Sequence, residues 1–260
     1  MNIVLLGSGN VATHLGRAFK MAGQTIVQVW SRNIDHAKEL ADSLASVAVS
    51  DIGDVNLSAD LYIMAVKDGA IRTLAAGLNL GDKLIVHTSG STRLEVLKGV
   101  SSRIGVFYPL QTFSKSKAVD FRQIPIAIEA NSVEDYAVIK SIADRLTEKV
   151  IELSSAQRKT LHVAAVFACN FTNHLFAISQ ELLHKDNLDF DLLRPLIAET
   201  AGKIQLNDPE SVQTGPAIRE DQETINSHLE MLQENTELME IYKKLSQSIV
   251  NLHERSERLI

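Results

Sequence analysis

The sequence predicts an α/β fold: a doubly wound, mostly parallel sheet over residues 1–153, followed by an all-helical second domain over residues 154–260. Three observations predict it. The chain opens on a short apolar run that enters a glycine-rich turn and then a helix-like pattern. Strand-length apolar runs then alternate with helical stretches as far as Leu153, and beyond Ser154 the pattern is helical alone.

The opening run is Ile3-Val4-Leu5-Leu6, the turn is Gly7-Ser8-Gly9-Asn10-Val11-Ala12, and the helix-like pattern continues to Gly23. Gly7 suits a turn geometry that a side chain forbids, and Gly9 lets a pyrophosphate approach the backbone. Ala12 stands where a small residue lets the helix pack closely on the strand, so the stretch reads as a dinucleotide fingerprint of Rossmann type. The free N–H groups and positive dipole end of the helix then face the phosphates.

Gln24–Trp30 is a second strand, and Ser31-Arg32-Asn33 follows where an NAD site usually places a carboxylate. A hydroxyl and a guanidinium there suit the 2'-phosphate of NADP, which makes NADP the expected cofactor and NAD the alternative. Asn33 also serves as the cap of a helix over Ile34–Leu44. Further strands are expected at Ser46–Val49, Asp60–Val66, Lys83–His87, Arg103–Phe107, Ile124–Ile128 and Lys149–Leu153. Asp68 is read as the cap of a helix to about Leu78, and Ser132 with Asp135 as a capping box opening Val133–Leu146.

Ligands of such sheets lie beyond the carboxyl ends of the strands. That rule selects Ala65, Val66 and Lys67, then His87, Thr88, Ser89 and Gly90, then Tyr108, Pro109 and Gln111.

Ser154 with Gln157 forms a second capping-box signature, and no proline or glycine interrupts the helical pattern from there to about Lys185. A helix of about 30 residues spans about 45 Å and is expected to be the spine of the second domain. At about 100° per residue, His162 and Asn173 point nearly the same way and Asn170 lies about 80° off, so the three are expected to line one side. A helix near Phe190–Gln205 and the turn-rich link Asn207–Pro216 come next. In the loop Thr214–Asp221, Arg219 is a candidate grip for a carboxylate or phosphate, and Asp221 caps the helix carrying His228. Leu238, Ile241, Leu245, Ile249 and Leu252 form an apolar stripe on a last helix.

With 260 residues, 45% of them hydrophobic, the chain can bury a sizeable core, and its net charge of −6 argues against a general nucleic-acid binder. The single cysteine, Cys169, excludes an internal disulfide and a cysteine-rich metal site. No leader and no apolar run long enough to cross a bilayer are apparent, so a soluble, cytoplasmic protein without a membrane partner is expected. Apolar stripes beyond the helical domain's own core lead us to expect a homodimer.

The segments GSGNVA (7–12), WSR (30–32), AVKDGAI (65–71), HTSGS (87–91), YPLQTF (108–113), HVAAVFACN (162–170) and TGPAIRED (214–221) resemble the Rossmann-like proteins with a C-terminal domain of unknown function, NADP or F420-dependent oxidoreductases. The wider clan that it is similar to includes pyrroline-5-carboxylate reductase, ketopantoate reductase, prephenate dehydrogenase and the 6-phosphogluconate and 3-hydroxyacid dehydrogenases. The resemblance implies an NADP-binding domain, a helical domain that often serves dimerisation, and an active site in the cleft between them. Lys67 stands where relatives usually carry proline, and Tyr108 where many carry histidine.

The expected function is NADP-dependent transfer of hydride between nicotinamide and a carbonyl or imine carbon of a small, anionic substrate. His162 is the expected acid/base with His87 its competitor, while Ser89, Asn170 and Asn173 orient the substrate and Arg219 holds its anionic group. Gly7, Ser8, Gly9, Asn10, Val11, Ser31, Arg32, Ala65, Val66, Lys67 and His87 are the expected cofactor contacts, and no metal is expected. The alternative is a non-catalytic NADP-binding sensor or assembly module, and a deazaflavin partner beside NADP is a third reading.

Overall fold

The computed structural model describes residues 1–257. The chain forms two compact units, Met1–Leu175 and a second beginning at Phe176. The sheet unit therefore runs past the 153/154 boundary expected from the sequence and keeps the start of the long helix.

In the first unit β1 (Asn2–Leu6), α1 (Asn10–Met21), β2 (Thr25–Trp30), α2 (Ile34–Leu44) and β3 (Val47–Val49) are followed by β4 (Leu61–Met64), α3 (Asp68–Ala76) and β5 (Leu84–His87). Then come β6 (Ile104–Pro109), β7 (Ile126–Ala130), α4 (Val133–Ala143), β8 (Val150–Glu152) and α5 (Ser155–Ala165). One sheet has the order β3-β2-β1-β4-β5-β6-β7-β8, and its pairings are parallel except the antiparallel β6–β7 pair. The doubly wound, mostly parallel expectation is met.

Alternation along β1 builds two cores. Ile3 and Leu5 pack with Leu15, Phe19 and Leu40 on one face, while Val4 and Leu6 pack with Tyr62, Ile71 and Leu74 on the other. Both faces are covered, which is why these strands read as unbroken apolar runs.

Three local expectations are corrected. Lys67, not Asp68, occupies the cap position of α3, and Asp68 instead accepts a hydrogen bond from Ser91 Oγ. The capping box at α4 is only half made: Ser132 Oγ accepts from Asp135 N at 3.0 Å, but the Asp135 carboxylate takes Arg103 Nε at 2.7 Å. The box at α5 is complete, with Ser154 and Gln157 each bonding the other's backbone.

The third correction concerns the long helix. After α5 it passes through a π-helical turn, Val166–Phe171, before resuming as α6 (Thr172–Lys185). The turn inserts an extra residue and removes about 100° of phase, so Asn170 comes round to within about 20° of His162 and Asn173 falls about 80° away. The whole 31-residue span Ser155–Lys185 is long and apolar enough to cross a membrane by length and composition, contrary to the expectation that no such run exists. His162, Asn170, Asn173 and His174 interrupt its apolar character.

In the second unit a 3₁₀ turn, Phe190–Leu193, leads into α7 (Arg194–Leu206), whose start carries Pro195, and α8 (Gln222–Met231) and α9 (Thr236–Glu257) follow. Among its described side chains only Ala217 and Leu238 are buried, while Leu192, Leu196, Leu206 and Met231 are exposed.

Candidate active site

The glycine-rich turn is built by close approach of β1 and β4. Gly7 has φ +130°, and a Cβ there would lie 2.3 Å from the Ala65 carbonyl oxygen. Only glycine fits this position. Gly9 differs, since a Cβ there meets nothing within 4 Å. Gly9 heads α1 without any side-chain cap, whereas Asn33, Ser132 and Ser154 cap α2, α4 and α5. Open space and uncapped amides at Asn10, Val11 and Ala12 fit a diphosphate group.

Neighbouring residues frame that turn. Ser8 Oγ donates to Ser31 Oγ at 2.9 Å, tying it to the end of β2, where Arg32 is exposed and Asn33 Oδ1 accepts from Asp35 N and His36 N. Arg32 is thus free to meet a ligand while Asn33 caps α2, so the two readings coexist. The chain after β6 returns to α1: Asn10 Nδ2 donates to the Phe113 carbonyl at 2.8 Å, and His14 Nε2 lies 2.8 Å from the Ser114 carbonyl with its ring stacked on Phe113. Ala65 is buried, Val66 half-buried and Lys67 exposed beyond β4.

His87 ends β5 fully buried. Burial, then the nearby Arg158 charge, lower its pKa from 6.5 to about 4. Its Nδ1 accepts from Ser89 N at 3.2 Å, and its Nε2 is buried with no hydrogen-bond partner among the described residues. Ser89 Oγ donates to Thr92 Oγ1 and accepts from Ser91 N and Thr92 N, so that hydroxyl shapes its own loop.

Arg158, on the first turns of α5, holds this loop. It is 1% exposed, and it donates through Nε to the Ser89 carbonyl at 3.2 Å, through Nη2 to the Thr92 carbonyl, and through Nη1 to Glu129. One helical turn on, His162 Nδ1 sits 3.0 Å from the Tyr108 hydroxyl at the end of β6. Gly90 makes room for both rings, since a Cβ there would lie 2.6 Å from His162 Nδ1 and 2.9 Å from Tyr108 Cζ. Burial, then the Asp68 charge, raise the Tyr108 pKa above 10.0 while Arg158 opposes them. The structure therefore brings His87, Ser89, Tyr108 and His162 together at the carboxyl ends of the adjoining strands β5 and β6. Asn170 and Asn173 are exposed further along the helix.

Arg219 lies in the second unit, exposed in a loop where Gly215 has φ +114°. Asp221 caps α8 by accepting from Thr224 N at 3.1 Å, and that bond lowers its pKa.

The sequence family described as NADP oxidoreductase, coenzyme F420-dependent, matches residues 2–90, and a domain of unknown function matches residues 124–249. A solved Bacteroides fragilis protein assigned as an NADP oxidoreductase is 47% identical, with 96% of this chain and 98% of that chain covered and a TM-score of 0.91. The chain belongs to this NADP oxidoreductase family. A Thermotoga maritima protein shares 25% identity at TM-score 0.73, with 98% of this chain and 99% of that one covered. Pyrroline-5-carboxylate reductase from Streptococcus pyogenes shares the fold, at 15% identity, TM-score 0.64 and coverage of 96% and 98%. Among curated proteins no sequence matches.

Two features of this NADP oxidoreductase escaped the sequence reading. Tyr108 and His162 are 54 residues apart, and no spacing rule joins them. Arg158 left a usable signal: a cation in a helix's first turn, with no acidic residue there, opposes the dipole and needs a partner elsewhere.

Proposed function

We propose that this NADP oxidoreductase reduces or oxidises a carbonyl or imine carbon of a small, anionic molecule, with His162 as its acid/base. The paired Tyr108 and His162 beside Gly90 carry the reading. An imidazole and a phenol stand at the carboxyl end of the sheet, the end that also holds the uncapped amides of the Gly9 turn. Bound NADPH supplies the hydride equivalent.

The chain's own groups do the rest. Amides of Asn10 to Ala12 hold the diphosphate, Arg32 and Ser31 select the 2'-phosphate, and His162 exchanges a proton with the substrate heteroatom. His87 is an unsuitable donor, because it is fully buried, with Nδ1 taken by Ser89 N and Nε2 closed off from solvent. Its part, with Ser89, is to shape the loop under His162, and the exposed amides of Asn170 and Asn173 offer bonds to substrate. Arg219 is assigned the anionic group on its charge and exposure alone. The apolar surface of the helical unit supports a homodimer.

Calorimetry with NADPH and NADH, followed by a fluorescence screen of keto acids, imines and hydroxy acids, tests the proposal. NADPH is expected to bind tighter than NADH, and His162→Gln to retain NADPH affinity while losing turnover. Turnover unchanged in His162→Gln removes this residue from the reaction, and absence of binding by either nucleotide overturns the cofactor assignment.

A further inference from the structure

Tyr108 has one hydrogen-bond partner for its part-buried hydroxyl among the described residues, Nδ1 of His162 at 3.0 Å. The rings meet edge to face, 75° between planes and 6.0 Å between centroids, and both press on Gly90. Charged groups around the hydroxyl are the Asp68 carboxylate and the Arg158 guanidinium, with the neutral His87 on the neighbouring strand. Nδ1 is the one acceptor that the described residues offer the phenolic proton, and with Nδ1 accepting, the proton of a neutral imidazole sits on Nε2.

We propose that Tyr108 is a positioning residue which fixes His162 in the Nε2–H tautomer and aims that N–H at the substrate heteroatom. The inference rests on the acid/base reading of His162 given above. As the heteroatom takes the Nε2 proton, the N–H pair stays on the ring and the Tyr108 proton moves to Nδ1. The O–H bond breaks as the Nδ1–H bond forms, while the Tyr108 oxygen takes a proton from solvent in the same step, so neither an imidazolate nor a phenolate is left and the net proton comes from solvent. Gly90 is the third part of the device: any side chain there drives the two rings apart.

The tautomer is read directly, without turnover, from long-range ¹H–¹⁵N spectra of the full chain labelled on histidine, with His162→Gln assigning the signal. The unaltered protein is expected to show His162 with its proton on Nε2, and Tyr108→Phe, which removes only the oxygen, to show a mixture of tautomers. A ring protonated on Nδ1 in the unaltered protein, or a spectrum unchanged in Tyr108→Phe, overturns the proposal. In turnover, Tyr108→Phe is expected to lower kcat about 10- to 100-fold, as loss of an outer partner of a functional histidine does, with NADPH affinity unchanged. Unchanged kcat in Tyr108→Phe, with His162→Gln inactive, overturns this role alone. Full turnover in His162→Gln overturns the acid/base reading, whatever the tautomer.

Discussion

Arg158 and Glu129 form an ion pair with the guanidinium 1% exposed and the carboxylate 18% exposed, which ties the start of α5 to the end of β7. Glu129 also accepts from Ser155 N at 2.9 Å, and Arg158 reaches the carbonyls of Ser89 and Thr92. The pair thus supports the loop on which Tyr108 and His162 rest. Arg158→Met leaves the half-buried Glu129 carboxylate unpaired and is expected to destabilise the sheet unit by about 3 kcal/mol, the low end for a buried pair. Adding Glu129→Gln removes the stranded charge and is expected to restore part of the loss. Urea unfolding of both singles and the double measures this; additive losses show that the two side chains act independently.

Gly7 and Gly9 are two residues apart but predict opposite failures. At Gly7 the positive φ and the Ala65 oxygen leave no room, so Gly7→Ala is expected to lose about 2 kcal/mol or more of stability. Gly9 has φ −78° and ψ −173°, which any residue adopts, and its Cβ direction is open. Gly9→Ala is therefore expected to fold within about 0.5 kcal/mol of the parent, yet to weaken NADPH binding at least about tenfold, or about 1.4 kcal/mol. Calorimetry on the two variants separates fold from site. A Gly9→Ala protein with parental affinity shows that no phosphate approaches that backbone.

His87 makes stability depend on pH. Its folded pKa of about 4 lies below the ordinary 6.5, so the neutral ring favours the fold, and that contribution is complete above pH 6.5 and lost as pH falls through 4. The gap corresponds to about 3 kcal/mol. In His87→Asn the amide oxygen replaces Nδ1 as acceptor for Ser89 N, and no group titrates. Chemical denaturation at steps between pH 7 and pH 4 is expected to show a shallower fall for the variant. Parallel curves show that His87 carries no such penalty.

The sheet was legible because its signals are local. Each strand is a short apolar run bounded by turn residues, and Gly7, Gly9 and Ala12 lie next to the strand they serve. Cap positions were harder: Asp68 looks like a cap, but Ser91, 23 residues away, claims its carboxylate. At the site, His162 was visible as a polar residue on an apolar helix and Tyr108 as a residue at the carboxyl end of a strand, but nothing in the sequence joined the two. The π-helical turn at Val166–Phe171 has no residue signature, so a phase computed for a regular helix placed Asn173 where Asn170 belongs. Long-range partners and inserted turns are tertiary facts, and periodicity does not carry them.

Assembly gives the last test. The window that makes Ser155–Lys185 apolar enough for a membrane is 0% buried, with Phe167 65% and Phe171 49% exposed, and α7 leaves Leu196 62% exposed. Phe167 and Phe171 lie in the first unit and Leu196 in the second, where only Ala217 and Leu238 are buried among the described side chains; apolar surface on this scale leads us to expect a second copy as its cover. Light scattering is expected to give twice 28.6 kDa, about 57 kDa. The unfolding midpoint is expected to rise with protein concentration, as it does when folding and association are one event. Phe171→Asp puts a charge on that surface and is expected to shift the mass toward one chain. A parent that stays at 28.6 kDa at micromolar concentration, or that enters solution only with detergent, shows that something other than a second copy covers the helix.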